Sequence, residues 1–306
     1  MAQGSRLKAL GNGGLRLERV GLQPRAYSLE RSKRRTLKLT IAYDGTRYAG
    51  WQVQKRSRQS AAGSRQRKPS PTIQGTIEDV LQQILRERVR VIGSGRTDAG
   101  VHALAQVAHL KTHSAIPIQR LLRALNHLLP HDIAVLRIEE AGDTFHARFD
   151  AARKRYRYRL FTGPVVSPFI RPYVLHVRAR LNVALMQREL AALRGRHDFK
   201  AFARLGDRKR RAGAQSKSAA QQSTTHRALT DARLRRRGDE LQLELEGNGF
   251  LHTMVRSIAG TILDIGRGRL PPGTVRRMLR MKDRRLAGTT APAKGLTLVR
   301  VDYATS

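Results

Sequence analysis

Two kinds of apolar repeat alternate along this chain, and they do so twice in a similar order. Leu37 to Ala42 alternates with a period of two, as a half-buried strand does, and Asp44-Gly45 then signals a turn. Beyond Pro71-Thr72 the period changes, because Ile73, Ile77, Val80, Leu81, Ile84 and Leu85 recur at helical spacing. A short strand at Val89 to Ile92, a glycine-rich segment and a strand from Val101 to Leu110 follow. A helix carrying Leu121, Leu122, Leu125 and Leu128 stops before Pro130, and Ile133 to Ile138 is strand again. The second half opens with a strand, Lys154 to Phe161, that puts Tyr156 and Tyr158 on one face. A helix from Asn182 carries Val183, Met186, Leu190 and Leu193, and Leu241 to Leu245 is a strand. A helix through Met254, Val255, Ile258 and Ile262, a short one after Pro271-Pro272 and a strand near Leu296 to Val301 complete the pattern. Such an order predicts an α+β chain built as two ferredoxin-like (RRM-like) halves, each with helices on one face of an antiparallel sheet. The expected division is a basic arm over residues 1–36, a first half over 37–147 and a second over 148–306.

Charge narrows the choice of partner. The 306 residues hold 60 Lys and Arg against 23 Asp and Glu, a formal net charge of +37. Self-repulsion of that size is offset by a polyanion, and nucleic acid is the usual one; an anionic membrane surface is the alternative, but no basic amphipathic helix dominates the chain. No apolar run approaches the roughly 18 to 20 residues that a spanning helix needs. The absence of cysteine excludes disulfides, thiolate metal sites and thiol nucleophiles. Residues 1–36 read as a flexible basic arm without the apolar core of a secretory signal; an organellar transit peptide fits its scarcity of acids but not Glu18, Glu30 and its glycines. Two further basic stretches, Lys55 to Lys68 and Arg204 to about Arg227, have the composition of disordered loops able to touch phosphates.

The densest chemistry lies in Gly93-Ser94-Gly95-Arg96-Thr97-Asp98-Ala99-Gly100-Val101-His102. Three glycines make a tight bend between two strands and leave Asp98 displayed. Arg96 lies two residues away, where a guanidinium keeps a carboxylate charged and oriented, as a nucleophile or general base requires. An aspartate in such a bend also serves simply as a cap for its own backbone, so the residues alone leave both roles open. The spacing is neither GxGxxG nor GxxxxGK followed by Ser or Thr, which disfavours a nucleotide loop. No HExxH is present, and the histidines at 102, 109, 113, 127, 131 and 146 fall on different elements, which disfavours zinc.

The string GRTDAGVHA, preceded by LTIAYDGTRYAGWQ and PTIQGTIEDVL, resembles the tRNA pseudouridine synthase A family. ALNHLLPHDIAV, FHARFDAARKRYRYRL, HDFKAF, GNGFLHTMVRSIAGTILDIG and GLTLVRVDY follow in the expected order, so the resemblance spans residues 37–303. It implies that Asp98 is the catalytic aspartate, Arg96 an active-site arginine linked to base flipping, Tyr156 the tyrosine that packs on the target base, and Arg256 an arginine paired with the aspartate. Arg256 sits among Val255, Ile258 and Ile262, where an unpaired cation is costly, and that independently favours a carboxylate partner. Thr253 departs from the family pattern, which usually has a His or Arg-type residue there, and puts the choice of RNA in question.

The same resemblance implies an isomerase that converts uridine to pseudouridine in the anticodon stem-loop of tRNA, positions 38 to 40, without metal or organic cofactor. It implies two halves flanking a basic cleft and a homodimer sharing one tRNA. The expected compartment is the cytoplasm of a bacterium, or a plastid or mitochondrial matrix in a eukaryote. The rival expectation is a catalytically retired RNA-binding or ribosome-associated protein, for which the charge would be equally natural.

Overall fold

The computed structural model describes residues 34–53, 70–204 and 225–304. The basic arm up to residue 33, the insert around Lys55 to Lys68 and nearly all of the stretch from Arg204 to Arg227 lie outside the described residues.

In the first half, β1 (Arg35–Tyr43), α1 (Ile73–Leu85), β2 (Ile92–Gly93), β3 (His102–Thr112), α2 (Ile118–Leu128) and β4 (Ile133–Ala141) follow one another. Their sheet order is β4-β1-β3, with the two-residue β2 added to β3, and all these pairs are antiparallel. β1 starts before the apolar alternation does, because Arg35 and Thr36 already pair with Thr112 and Lys111. Leu37, Leu39 and Ile41 are wholly buried on one face, against the stripe of Ile73, Ile77 and Leu81 on α1. Thr72 caps α1 by accepting a hydrogen bond from the Gly75 amide at 3.2 Å.

The second half contains β5 (Ala151–Phe161), β6 (Leu175–His176), α3 (Val183–Ala191), β7 (Gly195–Asp198), β8 (His226–Arg237), β9 (Glu240–Gly247), α4 (Met254–Gly266), α5 (Thr274–Met281) and β10 (Leu296–Tyr303). Their order is β10-β5-β9-β8-β7, again antiparallel, with β6 a short parallel addition to β5. Tyr156, Tyr158 and Leu160 of β5 are buried in the core, where Ile258 and Ile262 of α4 also lie. The alternate residues turn to the opposite face and form a charge ladder across the sheet. Arg155 meets Glu246 at 2.6 Å, Arg157 meets Glu244 at 2.8 Å and Arg159 meets Glu240 at 2.6 Å. Burial pushes the Glu244 carboxyl up, but hydrogen bonds from Arg157 and Arg233 more than offset it and hold the group below its usual range.

One pairing fuses the two halves into a single sheet: β10 runs parallel to β3, with Thr297 opposite His102 and Leu298 opposite Ala103. On its other side Leu298 faces Tyr156. Ala103, Leu298 and Tyr156 therefore share one rung, which sets Ala103 and Tyr156 about 10 Å apart at ordinary strand spacing. β2 and β10 share the same edge of β3, so the loop from β2 to β3 leaves the sheet at the seam between the halves.

Candidate active site

That seam loop is the segment containing Asp98, and it is built to be rigid. Ser94 is fully buried, and its hydroxyl donates to Gln106 Oε1 at 2.6 Å, while Gln106 Nε2 returns a bond to the Gly95 carbonyl at 3.0 Å. Thr97 is buried, its hydroxyl 2.8 Å from that of Tyr43. Burial pushes the Tyr43 phenol up to about 12, which keeps it a neutral hydrogen-bonding partner. The segment from Gly45 to Trp51 runs close under the loop, with the Trp51 amide donating to the Thr97 carbonyl at 3.1 Å. Gly50 has a φ of +95°, and a Cβ there would lie 2.6 Å from the Thr97 carbonyl oxygen. A Cβ on Gly45 would lie 2.0 Å from the Val101 oxygen, so only glycine admits this approach.

Asp98 emerges from this bed toward the second half of the chain. Its Oδ2 is 2.9 Å from Arg256 Nη1, and its Oδ1 is 3.3 Å from His252 Nε2. The Asp98 and Arg256 side chains are only 20 and 21% exposed, whereas that of His252 is 62% exposed. Arg256 is further fixed by its Nε, which donates to the Ala291 carbonyl at 2.8 Å. It is the third residue of α4, where the helix dipole disfavours a cation by about 0.3–1 kcal/mol. The Asp98 carboxylate is the counter-charge that makes the position tolerable. The residue before α4, Thr253, has φ 60° and ψ 0°, a left-handed conformation in which a β-branched side chain is strained.

Tyr156 is 7% exposed and lies edge-on to Phe250, ring centroids 5.0 Å apart. Burial, reinforced by the neighbouring Tyr43 phenol and by Asp98, pushes its phenol far above the ordinary value. It therefore stays a neutral aromatic surface beside the carboxylate. Arg96 is exposed on the same loop, two residues before Asp98. The structure thus gathers Asp98, Arg256 and Tyr156 at one seam, with Arg96 on the loop that carries the carboxylate.

Two residues at the site were not singled out by sequence reasoning. His252 lies in the turn before α4, with the left-handed Thr253 between it and the helix, so helical spacing gave no signal for it. Lys154 lies two residues before Tyr156 on the same face of β5, and its Nζ donates to the Ser94 carbonyl. Burial, with lesser repulsion from Arg148 and Arg227, lowers its pKa to about 8. Its charge sat hidden within an arginine-rich strand in a chain rich in such residues. Among the described residues no three His, Asp or Glu side chains assemble as a metal ligand set.

The family model described as "tRNA pseudouridine synthase" matches residues 39–150 and 190–304. This chain belongs to that family. A relative from Exiguobacterium sp., named tRNA pseudouridine synthase A, is 41% identical over 269 residues, covering 88% of this chain and 98% of the relative. A protein of the same name from Pelobacter propionicus is 43% identical over 269 residues, 88% of this chain and all of its own. A Clostridium tetani protein named tRNA pseudouridine synthase A 2 is 39% identical over the same length, with 99% of it covered. The matched family segments contain the loop with Asp98, strand β9 and helix α4 with Arg256. Tyr156 and Lys154 fall in the interval 151–189 between them, so their place in the site rests on the geometry.

Proposed function

We propose that the protein isomerises uridine to pseudouridine in tRNA, with Asp98 as the reacting carboxylate. The observation that carries this reading is the Asp98–Arg256 pair, 2.9 Å apart, at the seam beside the buried face of Tyr156. Isomerisation breaks the bond between uracil N1 and ribose C1′ and forms one between C5 and C1′. The C5 hydrogen leaves as a proton, N1 gains one, and no electron or group is imported. The chemistry therefore asks for an oriented carboxylate, a surface that holds the detached base and exclusion of water, and it asks for no cofactor.

Asp98 acts on the nucleoside as a nucleophile or as a base toward the sugar. Arg256 holds its charge and direction, as a charge-assisted bond to a partly buried carboxylate does. Tyr156 packs on the extruded uracil, whose unstacking costs a few kcal/mol. Arg96, exposed on the same loop, fills the space the base vacates. Support for two ferredoxin-like halves, 37–147 and 148–306, comes from the two sheet orders β4-β1-β3-β2 and β10-β5-β9-β8, each with its first strand beside its last. We further infer a homodimer in the bacterial cytoplasm acting on the 3′ side of the anticodon arm across the basic cleft between these halves.

The test uses tRNA tritiated at uracil C5. Wild-type protein should release tritium, and Asp98→Ala should bind the same tRNA and release none. Equal release by both proteins overturns the role of Asp98, and binding without release by either one favours a retired RNA-binding protein.

A further inference from the structure

Beside the Asp98 site lies an open groove of about 570 Å³ whose lining includes Lys200, Arg204, Lys282, Asp283, Arg284 and Arg285. Two of its five cations are paired, Lys282 with Asp198 at 3.3 Å and Arg285 with Asp283 at 2.7 Å. Among the described residues no carboxylate comes within ion-pair distance of Lys200, Arg204 or Arg284. Arg284 is the telling member, because it is half-buried and, among the described residues, every acceptor it reaches is neutral. Its Nη1 donates to Ser257 Oγ at 2.9 Å and to the Ala201 carbonyl at 3.4 Å, and its Nη2 to Thr290 Oγ1 at 3.0 Å. Burial, with repulsion from Arg204 added, lowers its pKa. A half-buried guanidinium without a counter-ion is a standing cost to the fold, and it is relieved when an anion arrives.

The groove is wired to the catalytic carboxylate by single steps along the chain. Ser257 follows Arg256, and Thr290 precedes Ala291, whose carbonyl accepts from Arg256 Nε. The Arg204 amide donates to the His252 carbonyl and to Thr253 Oγ1, both at 3.2 Å, and His252 in turn contacts Asp98. An anion in the groove is therefore held by residues whose hydrogen-bond partners are, or directly adjoin in the chain, those that touch Asp98 or fix Arg256.

We propose that this groove is a subsite for a backbone phosphodiester flanking the flipped nucleotide, with Arg284 at its floor and Lys200 and Arg204 at its rim. The inference rests on the function proposed above, since it supposes an RNA with its target base in the Asp98 site. A nucleotide turned out of the stack carries its flanking phosphates with it. Fixing one of them at the groove sets how far the base can enter. Planar, forked guanidiniums suit the phosphodiester better than ammonium groups do, and two of the three cations that have no ion-pair partner among the described residues are arginines.

The exposed rim residues allow a test that leaves the half-buried Arg284 in place. Binding of tRNA is measured against KCl concentration for wild type, for Lys200→Ala/Arg204→Ala, and for a charge-matched control, Arg276→Ala/Arg280→Ala. The control pair lines a second basic groove, with Arg194 and His197. The rim variant should bind roughly tenfold to a hundredfold more weakly, and its log–log salt slope should fall by about one relative to wild type, the loss of one phosphate contact. A neutral methylphosphonate placed next to the target uridine should weaken wild-type binding and add little to the rim variant's loss. Equal slope changes in rim and control variants overturn the subsite, because general electrostatics then accounts for both. A methylphosphonate penalty that is undiminished in the rim variant overturns it as well. Tritium release by wild type, run on the same RNA, reports separately on the isomerase reading.

Discussion

Replacing Arg256 with methionine isolates what its pairing with Asp98 contributes. The variant loses the 2.9 Å bond to Asp98 Oδ2 and the 2.8 Å bond from Nε to the Ala291 carbonyl. It leaves a carboxylate that is only 20% exposed, with the solvent-facing His252 Nε2 3.3 Å away. Breaking a fully buried pair from one side costs about 3–5 kcal/mol. Partial exposure here brings that to about 2–3 kcal/mol, and removing a cation from the first turn of α4 returns about 0.3–1 kcal/mol. A net loss near 2 kcal/mol corresponds to a melting temperature lower by about 3 °C in a chain of 306 residues. Misorientation of the carboxylate should cost the full 2–3 kcal/mol in the transition state, about 30- to 150-fold in rate. Single-turnover tritium release at saturating tRNA measures the second figure, and thermal unfolding measures the first. Arg256→Lys keeps the charge but loses the forked geometry, so it should fall between the two. Should Arg256→Met melt within about 1 °C of wild type and react within about threefold of its rate, the pair is a surface contact and the reasoning fails.

Two pH dependences follow from groups whose protons the fold displaces. Burial lowers the Lys154 pKa to about 8, so between pH 8 and its ordinary 10.5 the unfolded chain holds a proton that the folded one has shed, and stability rises with pH. In urea unfolding, the difference between wild type and Lys154→Met should therefore grow in favour of wild type across that window, by up to about 1.4 kcal/mol per pH unit; a flat difference would contradict the assignment. Burial, with help from His146 and Lys111, lowers the His109 pKa to about 4, and its Nδ1 accepts from the Ala147 amide at 3.1 Å. Stability should drop as pH falls from 6.5 toward 4, because the unfolded imidazole takes up the proton first. His109→Asn, which offers a neutral acceptor, should lose less over that range in the same assay, and an equal acid loss in both proteins would refute the account.

Strand β5 and helices α1 and α4 were legible because their apolar periods are uninterrupted. Tyr156, Tyr158 and Leu160 alternate with arginines, and Met254, Val255, Ile258 and Ile262 mark one side of a helix. Strand β8 was not legible, and a bulge explains it. The register shifts between Leu229 and Asp231, so its buried residues are Leu229, Ala232 and Leu234, and a period of two fails at the point where it is needed. Its arginines also merged with the basic stretch read as ending near Arg227. Asp98 announced itself through its glycines. Arg256 was legible as a cation in an apolar stripe, but its partner, 158 residues away, came from the family resemblance. Lys154 gave no such signal, since one more cation in a run of them has no local distinction until the Ser94 carbonyl is seen against it.

The site's dependence on the seam gives it a property that no single segment of the chain carries. Asp98 belongs to the first half, while Arg256, His252 and Tyr156 belong to the second, and the placement of β10 between β3 and β5 joins the sheets that carry them. The parallel register of β3 with β10 covers just Thr297 and Leu298, whereas β5 pairs with β9 along Lys154 to Phe161. A side chain supplements this short join: His102 Nε2 lies 3.2 Å from the Lys294 carbonyl. The Tyr173 hydroxyl donates across the halves to Asp44 at 2.8 Å, and Asp44 also lies 3.0 Å from His102 Nδ1. The bonds that cross the halves, His102 to Lys294 and Tyr173 to Asp44, help hold the half that carries Asp98 against the half that carries Arg256. A carboxylate in one half that pairs with an arginine in the other is thus aligned by the strand pairing and the side-chain bonds that join the halves.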